Sequence, residues 1–166
     1  MKTKRTFPWV TVGRVLFTVA LLGCICFIFS NSMAVATVST GASGRVLALM
    51  RRVLRHLGHP ALADRLTMHI VRKMAHFCEY TLEGFLLMLC MRVYSSHPMR
   101  HITVPMLGGV FTALTDETIQ LFSDGRSSQV TDVWLDSAGV LAGILAALVL
   151  LALCHWLYHH GKRRDQ

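Results

Sequence analysis

Ionisable residues inside otherwise apolar stretches are the first candidates for chemistry, and this sequence gathers many of them. Arg72, Lys73, His76, Glu79 and Glu83 share one stretch, Asp116, Glu117 and Gln120 a second, and Asp132 and Asp136 open a third. Arg72, His76, Glu79 and Glu83 step by four, three and four, so a helix carries them on one face. Asp116 and Gln120 are one helical turn apart, as are Asp132 and Asp136. Carboxylates crowded into a poorly solvated place suit proton transfer, and His76 adds a proton carrier or a nitrogen ligand. Read as an enzyme, Glu79, Asp116, Glu117 and His76 are the catalytic candidates. Arg72, Lys73 and Arg126 would grip a phosphate or carboxylate, arginine through its paired donors. A metal held by such oxygen-rich ligands and one histidine would be Mg²⁺, Mn²⁺ or Ca²⁺ rather than structural Zn²⁺.

The elements that position these residues follow from composition. The 166 residues are 53% hydrophobic and only 16% charged, with a mean hydropathy of +0.48. That leaves too little polar surface for a water-soluble domain and far too much apolar content for disorder. The expectation is an all-α integral membrane protein, one domain over 1–166, with four transmembrane helices at about 9–29, 69–93, 101–122 and 131–158. The first run, Trp9 to Phe29, is longer than a signal-peptide apolar region and lacks a small-x-small cleavage site, so it reads as a retained span. Residues 31–43 are small and polar and read as a loop. Residues 44–59 place Val46, Leu47, Leu49, Met50, Val53, Leu54 and Leu57 at helical spacing, with Arg45, Arg51, Arg52 and Arg55 between them. That pattern predicts a short basic amphipathic helix lying in the headgroup region, ended by Gly58 and Pro60. A helix packed on the rest of the protein is the plainer alternative.

Charge supplies depth and orientation. The net formal charge is +8, but paired with this hydropathy it points to anionic lipid and the positive-inside rule, not to nucleic acid. Six acids, Glu79, Glu83, Asp116, Glu117, Asp132 and Asp136, lie within or at the ends of the expected spans. A charge in hydrocarbon costs at least ~2.5–3.5 kcal/mol, so such residues default to function. The second span begins, the third ends and the fourth begins on one side, so these groups meet there. The basic tails and the 94–100 loop favour both termini in the cytoplasm and put the polar cluster on the outer side. Cys24, Cys26, Cys78, Cys90 and Cys154 all sit in apolar runs without a Cys-x-x-Cys, which supports neither a disulfide framework nor a zinc ribbon. His155, His159 and His160, beside Trp156, Tyr158 and Lys162-Arg163-Arg164, read as an interfacial belt rather than a metal site.

About half of the chain resembles the VanZ-like membrane proteins. The likeness rests on Arg72-Lys73-Met74-Ala75-His76-Phe77-Cys78-Glu79-Tyr80, on Thr115-Asp116-Glu117-Thr118-Ile119-Gln120-Leu121-Phe122, on Gly125-Arg126, and on Thr131-Asp132-Val133 followed by Asp136, Gly139 and Gly143. Phe29-Ser30-Asn31-Ser32 is similar to that family's Phe-Ser motif, whereas Asp124 stands where many members have proline. The resemblance implies a small multi-pass protein of the bacterial cell membrane, tied to teicoplanin-type glycopeptide tolerance or cell-envelope homeostasis, and supplies no reaction. On that basis Arg72, Lys73, Tyr80, Gln120, Arg126, Asp132 and Asp136 are expected to bind an anionic lipid-linked cell-wall precursor or a glycopeptide. The alternative is a membrane-embedded enzyme that modifies such a precursor. A third reading is structural: Glu79 pairs with Arg126 and Asp132 with Lys73, and the network pins the helices together.

Overall fold

The computed structural model describes residues 8–33, 36–123 and 129–164. Six α-helices follow one another: α1 Pro8–Met33, α2 Ala36–His56, α3 Pro60–Arg65, α4 Met68–Tyr94, α5 Thr103–Leu121 and α6 Val130–Arg164. A 3₁₀ turn, Pro98–His101, precedes α5. The described residues contain no strand.

Helices α1, α4, α5 and α6 meet around one core. Cys24 and Ile28 of α1, Tyr80, Met88 and Leu89 of α4, Ala113 of α5, and Val140, Ile144 and Ala147 of α6 are all buried there. The tightest seam joins α4 to α6. A Cβ at Gly143 would run into the Thr81 carbonyl, one at Gly139 would meet the Phe77 carbonyl, and one at Gly84 would strike the backbone of Val140. Glycine at these three positions therefore lets two backbones approach as larger residues would forbid, the small-xxx-small device of membrane helices. At the other end Arg14 of α1 donates from Nε to the Val93 carbonyl at 3.0 Å and lies over the Tyr94 ring. Its charge thus sits at the C-terminus of α4, where the helix dipole favours a cation.

The amino-acid distribution is inverted relative to a soluble protein. Glu83, Asp116 and Asp136 are wholly buried. Val15, Leu16 and Val19 on α1, Leu107 and Phe111 on α5, and Leu145 and Val149 on α6 all face outward. Two helices, over Val10–Met33 and Val130–His160, are long and apolar enough to cross a membrane by length and composition. Expected spans α4 and α5 fall short of that criterion, because ionisable groups dilute their hydropathy.

The first connection departs from the sequence expectation. Residues 31–33 complete α1 and α2 already begins at Ala36, so most of the expected 31–43 loop is helical. A run of small residues without apolar periodicity reads as a loop, yet it propagates a helix once the Arg45–His56 segment nucleates one. The end of α2 follows expectation. Gly58 has φ +81, and His59 N–H donates to Leu54 O while Gly58 N–H donates to Arg55 O, a Schellman cap. Between the interfacial and packed readings, α2 divides its apolar residues. Leu47, Met50 and Leu54 pack on Leu66 and Val71, whereas Val46, Leu49, Val53 and Leu57 remain exposed. Arg51 donates to the Leu66 carbonyl at 2.7 Å and Arg55 pairs with Asp64 at 2.9 Å, leaving Arg45 and Arg52 outward.

Candidate functional site

The ends of α1 and α5 and the starts of α4 and α6 lie at one end of the bundle, and the polar groups converge there. His76 is eight residues into α4, Asp136 six into α6 and Asp116 five from the end of α5. At 1.5 Å per residue these are depths of roughly 8–12 Å from the helix ends. His76 Nδ1 stands 3.9 Å from Asp116 Oδ2 and 4.0 Å from Asp136 Oδ1. Both carboxylates are fully buried.

The two aspartates differ in support. Asp116 Oδ1 accepts from the Ser32 hydroxyl, and its Oδ2 accepts from Gln120 Nε2 at 2.9 Å. Hydrogen bonds to an ionised acceptor are the strong kind, and these two fix the carboxylate from α1 and from one turn along α5. Asp136 has no hydrogen-bond partner on either oxygen among the described residues. Deeper in the bundle Glu83 and the Tyr80 hydroxyl are likewise buried without one. Thr112 lies close to Glu83, but its hydroxyl proton goes to the Gly108 carbonyl at 3.1 Å.

A cleft of about 60 Å³ leads from the surface to this centre, with His69, Arg72 and Lys73 towards its mouth and His76, Gln120 and Asp136 below. Accessibility falls along it: His69 is exposed, Arg72 and His76 are half-buried, Gln120 and Asp136 buried. Lys73 Nζ pairs with Asp132 Oδ1 at 2.7 Å across the α4–α6 seam. Arg72 has no ion-pair partner among the described residues, so it is the unspent cation of the mouth. The floor holds the buried Asp136, and the rim holds the more accessible His69, Arg72 and the Lys73–Asp132 pair.

The remaining sequence candidates divide. Asp132 lines the cleft. Glu117 is nearly buried and accepts from the Gln129 backbone N–H at 3.0 Å, and Glu79 accepts from Asn31 Nδ2 at 2.8 Å, both to one side of it. Tyr80, expected to bind ligand, lies in the apolar core and does not line the cleft. Arg126, with Asp124 and Gly125, lies outside the described residues, so the expected Glu79–Arg126 pair does too. The expected Asp132–Lys73 pair is present. Sequence reasoning passed over Ser32, Asn31, His69 and Gln129 as site residues. Ser30-Asn31-Ser32 closing an apolar helix was the available signal for the first two.

No curated protein and no solved structure matches the chain. The VanZ/LLP1 family, however, matches residues 15–152, a stretch that takes in α4 and α5 whole, most of α1 and α6, and every group of the buried centre. Matched over most of its length, the chain belongs to the VanZ/LLP1 family.

Proposed function

We propose that this protein crosses the membrane four times and binds the phosphate-bearing headgroup of a lipid-linked cell-envelope molecule in the cleft between α4 and α6. The carrying observation is a cleft with Arg72, free of an ion pair among the described residues, and Lys73 towards its mouth and the buried Asp136 below, opening at the end of the bundle. Four crossings are supported by length: α4 has 27 residues and α5 has 19, or about 40 and 28 Å against a ~30 Å core. Their charges turn inward while Leu107 and Phe111 face out, 68% and 72% exposed. Basic residues at both tails, Lys2, Lys4 and Arg5 and then Lys162, Arg163 and Arg164, favour a cytoplasmic location for both and put the cleft outside.

Size favours a small ligand group. A cavity near 60 Å³ admits a phosphate or a few waters but encloses no glycopeptide. This supports a role in teicoplanin-type tolerance that runs through an envelope lipid over one that runs through enclosure of the antibiotic. Exposed Val46, Leu49, Val53 and Leu57 of α2, backed by Arg45 and Arg52, suit a helix resting on the same headgroup layer.

The test is lipid extraction and mass spectrometry on protein purified from membranes. Wild type is expected to retain a phosphate-bearing lipid, and Arg72→Gln to retain about tenfold less, the loss of one charge-assisted hydrogen bond. No retained lipid, or equal retention by both proteins, contradicts the reading. An enzymatic role is the second reading, favoured by the way Ser32 and Gln120 hold Asp116 in a fixed orientation. It expects a retained lipid of altered mass, and a Glu117→Gln protein that folds normally but leaves the mass unaltered.

A further inference from the structure

We propose that His76, Asp116 and Asp136 form a divalent-cation site at the floor of the cleft. The three side chains come from three different helices, α4, α5 and α6, and offer ligand atoms that all lie within 4.8 Å of one another. With His76 Nδ1 at 3.9 and 4.0 Å from the two carboxylates, a point equidistant from all three atoms is about 2.5 Å or less from each, matching Ca²⁺–oxygen distances and a few tenths above those of Mg²⁺.

Asp136 is the second, independent indication. It is wholly buried, and neither of its oxygens has a hydrogen-bond partner among the described residues. A buried carboxylate without a donor is otherwise a heavy cost, and one of its oxygens points to the shared space with His76 and Asp116. Asp116 shows the complementary feature of a ligand: Ser32 and Gln120 orient it from outside the triad, as hydrogen-bonded second partners do at metal centres. As metal ligands the two carboxyls would be deprotonated and the imidazole neutral, a set that one divalent cation balances.

Donor chemistry narrows the ion. The set holds two hard oxygens, one imidazole and no thiolate, which suits Mg²⁺, Ca²⁺ or Mn²⁺ and disfavours a soft-metal site. Three protein ligands leave positions open toward the cleft, where His69, Arg72 and Lys73 surround the approach. Those positions would take water or a phosphate oxygen; only this last step rests on the headgroup reading, and the cation site stands without it. The competing occupant of the same space is the proton of a His76 imidazolium shared between the two aspartates.

Mn²⁺ is the probe. Full-length protein, purified in detergent and stripped with chelator, is titrated with Mn²⁺ and followed by electron paramagnetic resonance. Wild type is expected to bind one Mn²⁺ per chain with a ¹⁴N coupling from one histidine. Asp136→Asn and His76→Ala should bind at least tenfold more weakly, and Asp64→Asn, exposed on α3 and outside the cleft, should bind as wild type does. Absence of bound Mn²⁺ at millimolar concentration, or binding without a nitrogen coupling, overturns the proposal. Equal weakening by Asp64→Asn also overturns it, because it reveals a diffuse acidic surface. If the variants do not fold, the stoichiometry and ¹⁴N coupling of the wild type decide alone. Lipid retained by protein that binds no Mn²⁺ removes the cation and leaves the headgroup reading. Mn²⁺ bound by protein that retains no lipid does the reverse.

Discussion

Two aspartates on facing helices carry the argument at the scale of residues, because the fold treats them differently. Asp116 has a donor on each oxygen, and Asp136 has none among the described residues. Ser32→Ala removes one charge-assisted hydrogen bond to a buried carboxylate, so it should cost about 1.5–3 kcal/mol and lower the thermal midpoint in detergent. An unchanged midpoint would show that the Ser32–Asp116 contact contributes nothing. The Asp116–Gln120 pair was legible in the sequence, since residues four apart on a helix share a face. Ser32 was not, because it reaches Asp116 across 84 positions and only the folded bundle brings α1 against α5. Tyr80 follows Glu79 directly, and adjacent helix positions face different ways, so its ring enters the core.

Helices set the geometry that the residues use, and the α4–α6 seam sets most of it. Gly143→Leu would drive a side chain into the Thr81 carbonyl and the Phe85 N–H. Overpacking of this kind typically costs about 1–3 kcal/mol, and here it would also spread the cleft between those helices. The measurable result is lower yield of folded protein and a reduced thermal midpoint, whereas Gly23→Leu, with nothing near its Cβ position, should have little effect. The Gly139/Gly143 pair announced a close approach by its spacing. Gly84 did not, because its partner Val140 depends on the register of α6 against α4. Helix α2 was legible as amphipathic but not in extent or in the split of its apolar residues between protein and surroundings. An environment-sensitive dye on Leu49→Cys, in a cysteine-free background reconstituted into vesicles, should report an apolar setting, and one on Arg52→Cys a wet one. Identical emission from both sites would refute the headgroup placement of α2.

The whole molecule is an inside-out distribution of charge: scarce acids gathered within, cations mostly at tails, connections and the outer face of α2. That much could be read from sequence, because the spacing of acids relative to helix ends fixes their depth. Which atoms meet could not, since those contacts join positions dozens of residues apart. The proposed topology, four crossings with both termini inside, would place Ser123 outside and Ser96 in the cytoplasm. Single cysteines at these positions should therefore be labelled by an impermeant reagent from outside at Ser123→Cys only, and labelling at Ser96→Cys alone would invert the topology. The central claim is that Asp136, at the floor of the cleft, is kept for binding at some cost to stability and does not brace the helices. Thermal unfolding of chelator-treated Asp136→Asn tests it most directly, because asparagine keeps the shape and replaces a buried carboxyl that has no hydrogen-bond donor among the described residues. The account predicts a midpoint equal to or above that of wild type. A fall of about 4 °C or more, the shift expected from a loss of 1–2 kcal/mol in a chain of this size, would contradict it and make Asp136 a structural brace.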